Sequence, residues 1–424
     1  MENVVNKSLQ HSEELKYRII IGYSLFMLLT SFFFNTPREI VQGMGRIIVS
    51  PSLLLSDYMV IGNIGSSTAN AGILMLSSIF IAKKNKALMN GPLIAAIFTI
   101  GGFAFFGKNI YNVISIVTGV YLHSLIKKEH FTKFLLPAFF GTALSPLVSQ
   151  VSFGFGFALP LGILLGNILG ILIGIILPPL ASSFVRFHNG FNLYNIGFTA
   201  GITGMLFMSF FRSFELQTPP TSIVYQGGNL VLGSYLLLIF ISMIVVKLII
   251  SGPNLDKFKK LMTYSGRLVT DFVTLEGFGV TMFNMGLLGI IGLIYVLLVG
   301  GEISGPVIGG LFTLIGFGAF GKHPKNIMPL IVGVYIASLL KTWEASSVSG
   351  LLTALFGTTL APISGQYGWK FGILAGFIHM SVVTNIGYLH GGMNLYNNGF
   401  SGGFVAAILV PIIESFKKEQ EDER

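Results

Sequence analysis

The chain has 424 residues, 52% of them hydrophobic and 10% charged, with a formal net charge of +9. Soluble domains carry about 25% charged residues, so this composition excludes a water-soluble fold and indicates a polytopic membrane protein. There is no cysteine, which excludes disulfides, thiolate catalysis and Cys-based metal sites.

In chain order, residues 1–16 read as a polar cytoplasmic N-terminal segment ahead of a retained first span at 18–34. A span needs roughly 20 apolar residues. An amphipathic stretch at 38–62 follows, and then apolar elements at 66–82, 88–106, 110–126, 134–153, 157–179 and 191–214. Residues 216–228 read as an extracytoplasmic linker. The series then restarts with a span at 230–250, an amphipathic stretch at 254–278, and elements at 280–299, 304–321, 326–341, 348–366, 371–389 and 393–413. Residues 17–215 and 229–414 therefore form two membrane repeats, and 415–424 a charged cytoplasmic tail.

The restart is an internal duplication. Asn70, Gly91-Pro92, Gly102-Phe103, Phe106-Gly-Lys108 and Gly119-Val-Tyr121 recur 214 residues later as Asn284, Gly305-Pro306, Gly316-Phe317, Phe320-Gly-Lys322 and Gly333-Val-Tyr335. Gly141-Thr142, Pro146 and Gln150 recur 216 residues later as Gly357-Thr358, Pro362 and Gln366. Seven apolar elements per half is an odd number, so the halves face opposite ways. Basic residues agree: with the N-terminus inside, only Arg38, Arg46, Lys108, Arg212 and Lys341 of the 26 Lys and Arg fall outside. That bias follows the positive-inside rule and fits short loops that set topology rather than nucleic-acid binding. The fold expected is all-α: a multi-pass cell-membrane protein of two inverted repeats, some elements discontinuous or re-entrant, with both termini cytoplasmic.

The strongest motif occurs twice, as GFNLYNIGFTAG at 190–201 and GMNLYNNGFSGG at 392–403, preceded by His188 and His390. Read as a helix at about 100° per residue, His188, Asn192, Asn195 and Thr199 share one stripe, as do His390, Asn394, Asn397 and Ser401. The other face carries Gly190, Gly197, Gly201 and Gly204, or Gly392, Gly399 and Gly403. Glycine permits close helix contact, while the polar stripe cannot face lipid cheaply. It lines a solute path or forms an interhelical hydrogen-bond seam, and the sequence leaves both open. Tyr194 and Tyr396 lie inside the two motifs and join the candidate solute-binding set.

Pro146 and Pro362 interrupt short apolar runs and point to broken helices, which in transporters free backbone groups for solute. Gln150 and Gln366 are the amide side chains there. Ser56-Asp57 and Thr270-Asp271 are the acidic pair at matching positions. They read as helix caps or as coupling-ion ligands. Lys108 and Lys322 read as snorkelling anchors, and His123 and His379, lacking partners, as structural. There is no HExxH, GxSxG or Walker A pattern, so no enzyme, cofactor or metal site is expected.

The doubled GxNLYNxGFxxG motif and the duplicated layout resemble a prokaryotic membrane-protein family catalogued as a domain of unknown function. Tyr194-Asn195 and Tyr396-Asn397 also resemble a Tyr/Phe-Asn pair in urea transporters, whose halves are inverted repeats too. The Leu-Pro-x-x-Thr-x-Pro-Phe signature of those transporters is absent here. That likeness implies a neutral-solute pore. The function expected is a transporter or channel for a small polar solute at the repeat interface. The alternatives are a cation- or proton-coupled carrier using Asp57 or Asp271, and a non-transporting scaffold or lipid-acting enzyme. The lipid bilayer and the solute are the expected partners, and homo-oligomerisation stays open.

Overall fold

The computed structural model describes residues 2–218, 221–340 and 343–422, with side chains from 12 to 417 within those bounds. Of the basic residues used to orient the chain, Lys341 and Arg424 lie outside the described residues, as do the side chains of Lys7 and Lys418.

Each half consists of nine elements. The first half comprises α1 (Glu2–Phe34), α2 (Pro37–Ile48), α3 (Tyr58–Ile61), α4 (Ile64–Lys84), α5 (Gly91–Phe103), α6 (Ile110–Lys127), the broken α7 (Phe131–Gly154), α8 (Leu159–Phe184) and α9 (Asn195–Ser213). The second repeats the series as α10 (Asn229–Ser251), α11 (Asp256–Leu261), α12 (Phe272–Leu275), α13 (Phe278–Leu298), α14 (Gly305–Phe317), α15 (Pro324–Leu340), α16 (Val348–Tyr367, also broken), α17 (Trp369–Ile386) and α18 (Asn397–Asp422). Ten of these elements are long and apolar enough to cross a membrane.

The same pairs form in both halves. α1 packs on α4, and α10 on α13; α6 packs on α8, and α15 on α17. Glycines make the approach close. A Cβ on Gly72 would sit 2.8 Å from Leu28 N, and one on Gly119 2.2 Å from Ile171 O. Their repeats Gly286 and Gly333 would meet Phe240 O at 2.5 Å and Ile373 O at 2.1 Å.

The centre is made by α5 against α14 and α9 against α18. Both pairs are antiparallel, the direct mark of inverted repeats. The start of α5 at Gly91 meets Ala319 O beyond the end of α14, and the start of α14 at Gly305 meets Phe105 O beyond the end of α5. α5 and α14 are fully buried, and 13 residues give each only about 20 Å. They therefore do not cross a hydrocarbon core of about 30 Å by themselves, which corrects the expectation of full spans at 88–106 and 304–321.

The broken helices are as expected. In α7 a tight 3₁₀ turn at Thr142–Leu144 precedes Pro146, and in α16 the same turn at Thr358–Leu360 precedes Pro362. Proline lacks the N–H that would continue the ladder. The Thr142 and Thr358 hydroxyls donate back to Phe139 O (2.6 Å) and Leu355 O (2.5 Å).

Candidate functional site

The two NLYN segments are not helical, contrary to the helix expected from 191 and 393. Helix begins only at Asn195 and Asn397. The cause is local: Gly190, Gly391 and Gly392 have φ of +78°, +56° and +77° and turn the chain before each segment. Asn192 Oδ1 then accepts from Tyr194 N at 3.2 Å, and Asn394 Oδ1 from Tyr396 N at 3.0 Å. Such Asx turns compete with helix.

Each NLYN segment docks on the break in the opposite repeat's discontinuous helix. Leu193 N donates to Thr359 O (3.0 Å) and Tyr194 N to Thr359 Oγ1 (3.0 Å), while Leu395 N donates to Ala143 O (3.1 Å). Carbonyls freed by one repeat's 3₁₀ turn are thus satisfied by the other repeat's motif.

The motif amides hold this seam. Asn192 Nδ2 donates to Gly399 O (2.9 Å) and Asn394 Nδ2 to Gly197 O (3.3 Å), both across the repeats. His188 Nε2 pairs with Asn195 Oδ1 (3.0 Å), and Asn195 Nδ2 donates to Ala181 O (2.9 Å). His390 and Asn397 repeat the arrangement at 2.9 Å and with Val383 O at 3.2 Å. The Thr199 and Ser401 hydroxyls return to their own helices at Asn195 O and Asn397 O. Within the helices the glycine stripe packs as expected: Gly197 meets Tyr396 and Gly399, and Gly201 and Gly403 meet Phe400 and Phe198, whereas Gly190 and Gly392 lie in the preceding turns and leave the stripe. These side chains form a hydrogen-bond seam between the repeats.

Asp57 and Asp271 are N-caps of α3 and α12, accepting from Met59 N (2.9 Å) and Val273 N (3.0 Å). They do more than the sequence indicated. Asp57 Oδ2 also accepts from Gly305 N (2.8 Å) at the start of α14, and Asp271 Oδ1 from Gly91 N (2.9 Å) at the start of α5. Each carboxylate therefore caps a central helix of the other repeat.

The snorkelling expected of Lys108 and Lys322 does not occur. Both are 0% exposed. Gly107 and Gly321, at φ +92° and +86°, fold each Phe-Gly-Lys turn inward, and Asn70 and Asn284 staple the turns by donating to Lys108 O (2.8 Å) and Lys322 O (2.7 Å). Gly107 lies against Leu395 and Gly321 against Leu193, so each lysine turn sits over the opposite repeat's NLYN segment. Lys322 Nζ donates to Tyr194 Oη (2.5 Å) and Thr358 Oγ1 (2.7 Å). Lys108 Nζ, 4.9 Å from the Phe103 ring centre, makes no hydrogen bond among the described residues, and the Tyr396 hydroxyl lies beside Thr99.

Between the lysines lies a pseudo-symmetric ring cluster. Tyr194 and Tyr396 are 5.2 Å apart, Tyr194 meets Phe317 at 4.7 Å, and Tyr396 meets Phe103 at 4.6 Å. Phe140 packs on Phe317 and Phe356 on Phe103, each at 5.6 Å.

A cavity of about 710 Å³ reaches this cluster. His123, Lys127, Glu129 and Lys133 stand on its wall, along with Phe134, Pro137, Phe140, Pro178 and Pro179. Tyr194, Asn195, Gly197 and Tyr396 line it too, so both motifs contribute. His123, read as structural, belongs to this wall, whereas His379 bonds Asn398 (3.0 Å). Neither Gln150 nor Gln366 lines the cavity; Gln150 is buried and Gln366 is exposed. At the pseudo-equivalent place in the other repeat, Thr218 Oγ1 donates to Gly391 O (3.3 Å) and Arg212 Nη2 to Tyr388 O (2.5 Å). The bond from Leu54 N to Gly392 O (3.0 Å) is common to both sides, matched beside the cavity by Leu268 N to Gly190 O (3.2 Å).

The central lysines are the residues missed from the sequence, although their matching positions 214 apart were visible. No curated protein and no solved structure matches the chain, so the likeness to urea transporters gains no support. One family model matches twice in effect, over residues 36–213 and 250–415, which together take in both repeats. The chain belongs to the family described as Protein of unknown function (DUF1576).

Proposed function

We propose that this membrane protein transports a small polar solute through the interface of its two inverted repeats. The observation that carries this reading is the cavity lined by both motifs and ending on Tyr194 and Tyr396. A binding cavity at the repeat interface, bounded by discontinuous helices, is the usual transporter arrangement. The difference between the repeats supports alternating access. The cavity lies beside Phe140, which is 7% exposed, while the matching Phe356 is 2% exposed and the segment next to it is held by Thr218 and Arg212. By the positive-inside rule the open face, bearing Lys127 and Lys133, is cytoplasmic in the cell membrane.

Asn195 lines this path, while Asn192, Asn394 and Asn397 are taken up in the seam beside it. The coupling-ion role for Asp57 and Asp271 loses ground, because both Asp57 oxygens and Asp271 Oδ1 are taken up by backbone N–H groups and Asp271 Oδ2 by the Thr274 hydroxyl. No catalytic step is assigned.

Purified protein in proteoliposomes tests the reading. Uptake of a panel of small polar solutes should include at least one that saturates, and Phe140→Trp, which fills the cavity floor, should cut its rate by about an order of magnitude, equivalent to about 1.4 kcal/mol. Folded protein that moves none of them beyond the lipid leak overturns the reading.

A further inference from the structure

The buried lysines bear on what the solute is. A lysine ammonium in a low-dielectric interior is costly without a partner of opposite charge. Lys108 and Lys322 are both 0% exposed, and the carboxylates that reach the centre, Asp57 and Asp271, are taken up by the N–H groups that they cap. The two lysine nodes are alike in sequence and differ in state. Lys322 is satisfied by the hydroxyls of Tyr194 and Thr358. At the other node Lys108 Nζ has no hydrogen-bond partner among the described residues, and the Tyr396 hydroxyl lies beside the hydroxyl of Thr99. Thr142, the counterpart of Thr358, donates to Phe139 O.

These groups converge. Gly107 rests on Leu395, Lys108 Nζ lies over Phe103, and Phe103 packs edge-on against Tyr396, which itself lines the cavity. A buried ammonium without a partner, separated from the cavity by the Phe103 and Tyr396 rings, matches an anion, because charge-assisted bonds are the strong ones. The cavity walls choose among anions. Phe134, Pro137, Phe140 and Phe317 present apolar surface, which suits a solute with an apolar body better than a hydrated inorganic ion.

We propose that the Lys108 node binds a small organic carboxylate once the Phe103 and Tyr396 rings part to join it to the cavity, the carboxylate oxygens on Lys108 Nζ and Tyr396 Oη and the apolar body against the cavity wall. The inference rests on the transport reading of the same cavity and replaces the neutral solute expected from the motif with an anion. Lys127 and Lys133 on the cavity wall favour entry of an anion, although Glu129 offsets part of their charge.

The test combines binding and flux on the full-length protein. Melting of purified protein in detergent is followed with benzoate, with its neutral isostere benzamide, and with chloride. Benzoate should raise the melting temperature in a dose-dependent way, and the other two should not. Lys108→Met should abolish the rise while the unliganded protein melts no lower than wild type, since an uncompensated charge has been removed. Lys108→Arg should keep the rise, and Tyr396→Phe should reduce it. An equal rise with benzamide, an unchanged rise in Lys108→Met, or no rise with benzoate overturns the proposal. Proteoliposome uptake separates the two claims. Flux of benzamide without benzoate defeats the anion and leaves transport standing. A Lys108-dependent benzoate shift with no flux of either defeats transport and leaves the site standing.

Discussion

Asn192 and Asn394 occupy the same place in the two repeats but do unequal work. Asn192 Oδ1 accepts from Thr359 Oγ1 (2.5 Å) as well as from Tyr194 N, and its amide reaches Gly399 O at 2.9 Å; Asn394 reaches Gly197 O only at 3.3 Å. Leaving buried polar groups unpaired costs about 1–3 kcal/mol, so Asn192→Ala should destabilise by that amount and Asn394→Ala by less. Thermal melts of the two variants check the order, and equal losses would count against it. Asp57→Asn should lower the melting temperature through its caps while any solute flux stays independent of ion gradients. Loss of a gradient-driven component alone would restore the coupled-carrier reading. The seam was half legible in the sequence, since an Asn/His stripe in an apolar chain must meet polar groups of some kind. The lysines were misread because a Lys closing an apolar run looks like an anchor. Lys108 carried a warning: it was one of few basic residues on the disfavoured outer side, and its exact counterpart lay in the other half.

At the scale of elements, hydrophobic runs located the repeats well. The apolar run expected at 66–82 is the helix Ile64–Lys84, and that at 110–126 is Ile110–Lys127. Pro146 and Pro362 correctly marked the breaks. Periodicity failed at NLYN, where a polar pattern compatible with helix is instead an extended lead-in set by positive-φ glycines. It also failed to show that α5 and α14 stop short, since burial inside the protein and burial in lipid select the same residues. The inward lysine turns depend on Gly107 and Gly321. A left-handed conformation costs about 1–2 kcal/mol for a residue with a side chain, and the surroundings add to it unequally. A Cβ on Gly107 would meet the end of the Leu395 side chain at 2.5 Å, which can move; one on Gly321 would meet Gly266 O at 2.7 Å, which is backbone. Gly321→Ala should therefore melt lower than Gly107→Ala, and the reverse order would mean that the turn, not its neighbours, yields.

For the whole molecule, inverted repeats in unequal states are the feature that matters. The chain lacks cysteine, so single cysteines report access without background. Phe140→Cys should react with a membrane-impermeant thiol reagent from the face bearing Lys127 and Lys133, and Phe356→Cys should be protected from both faces. Equal labelling of the two would remove the asymmetry on which alternating access rests. The exchanged caps have one more consequence. The N-terminus of α5 is completed by Asp271, and that of α14 by Asp57. Asn90 caps α5 from within its own half, but the carboxylate at the start of each central helix and the motif that closes each broken helix come from the other half. Half of this chain, able to insert into a bilayer in either orientation, would find each missing contact in an oppositely oriented copy of itself. The tandem chain is then a pair of such copies joined end to end, free to let its two lysine nodes diverge.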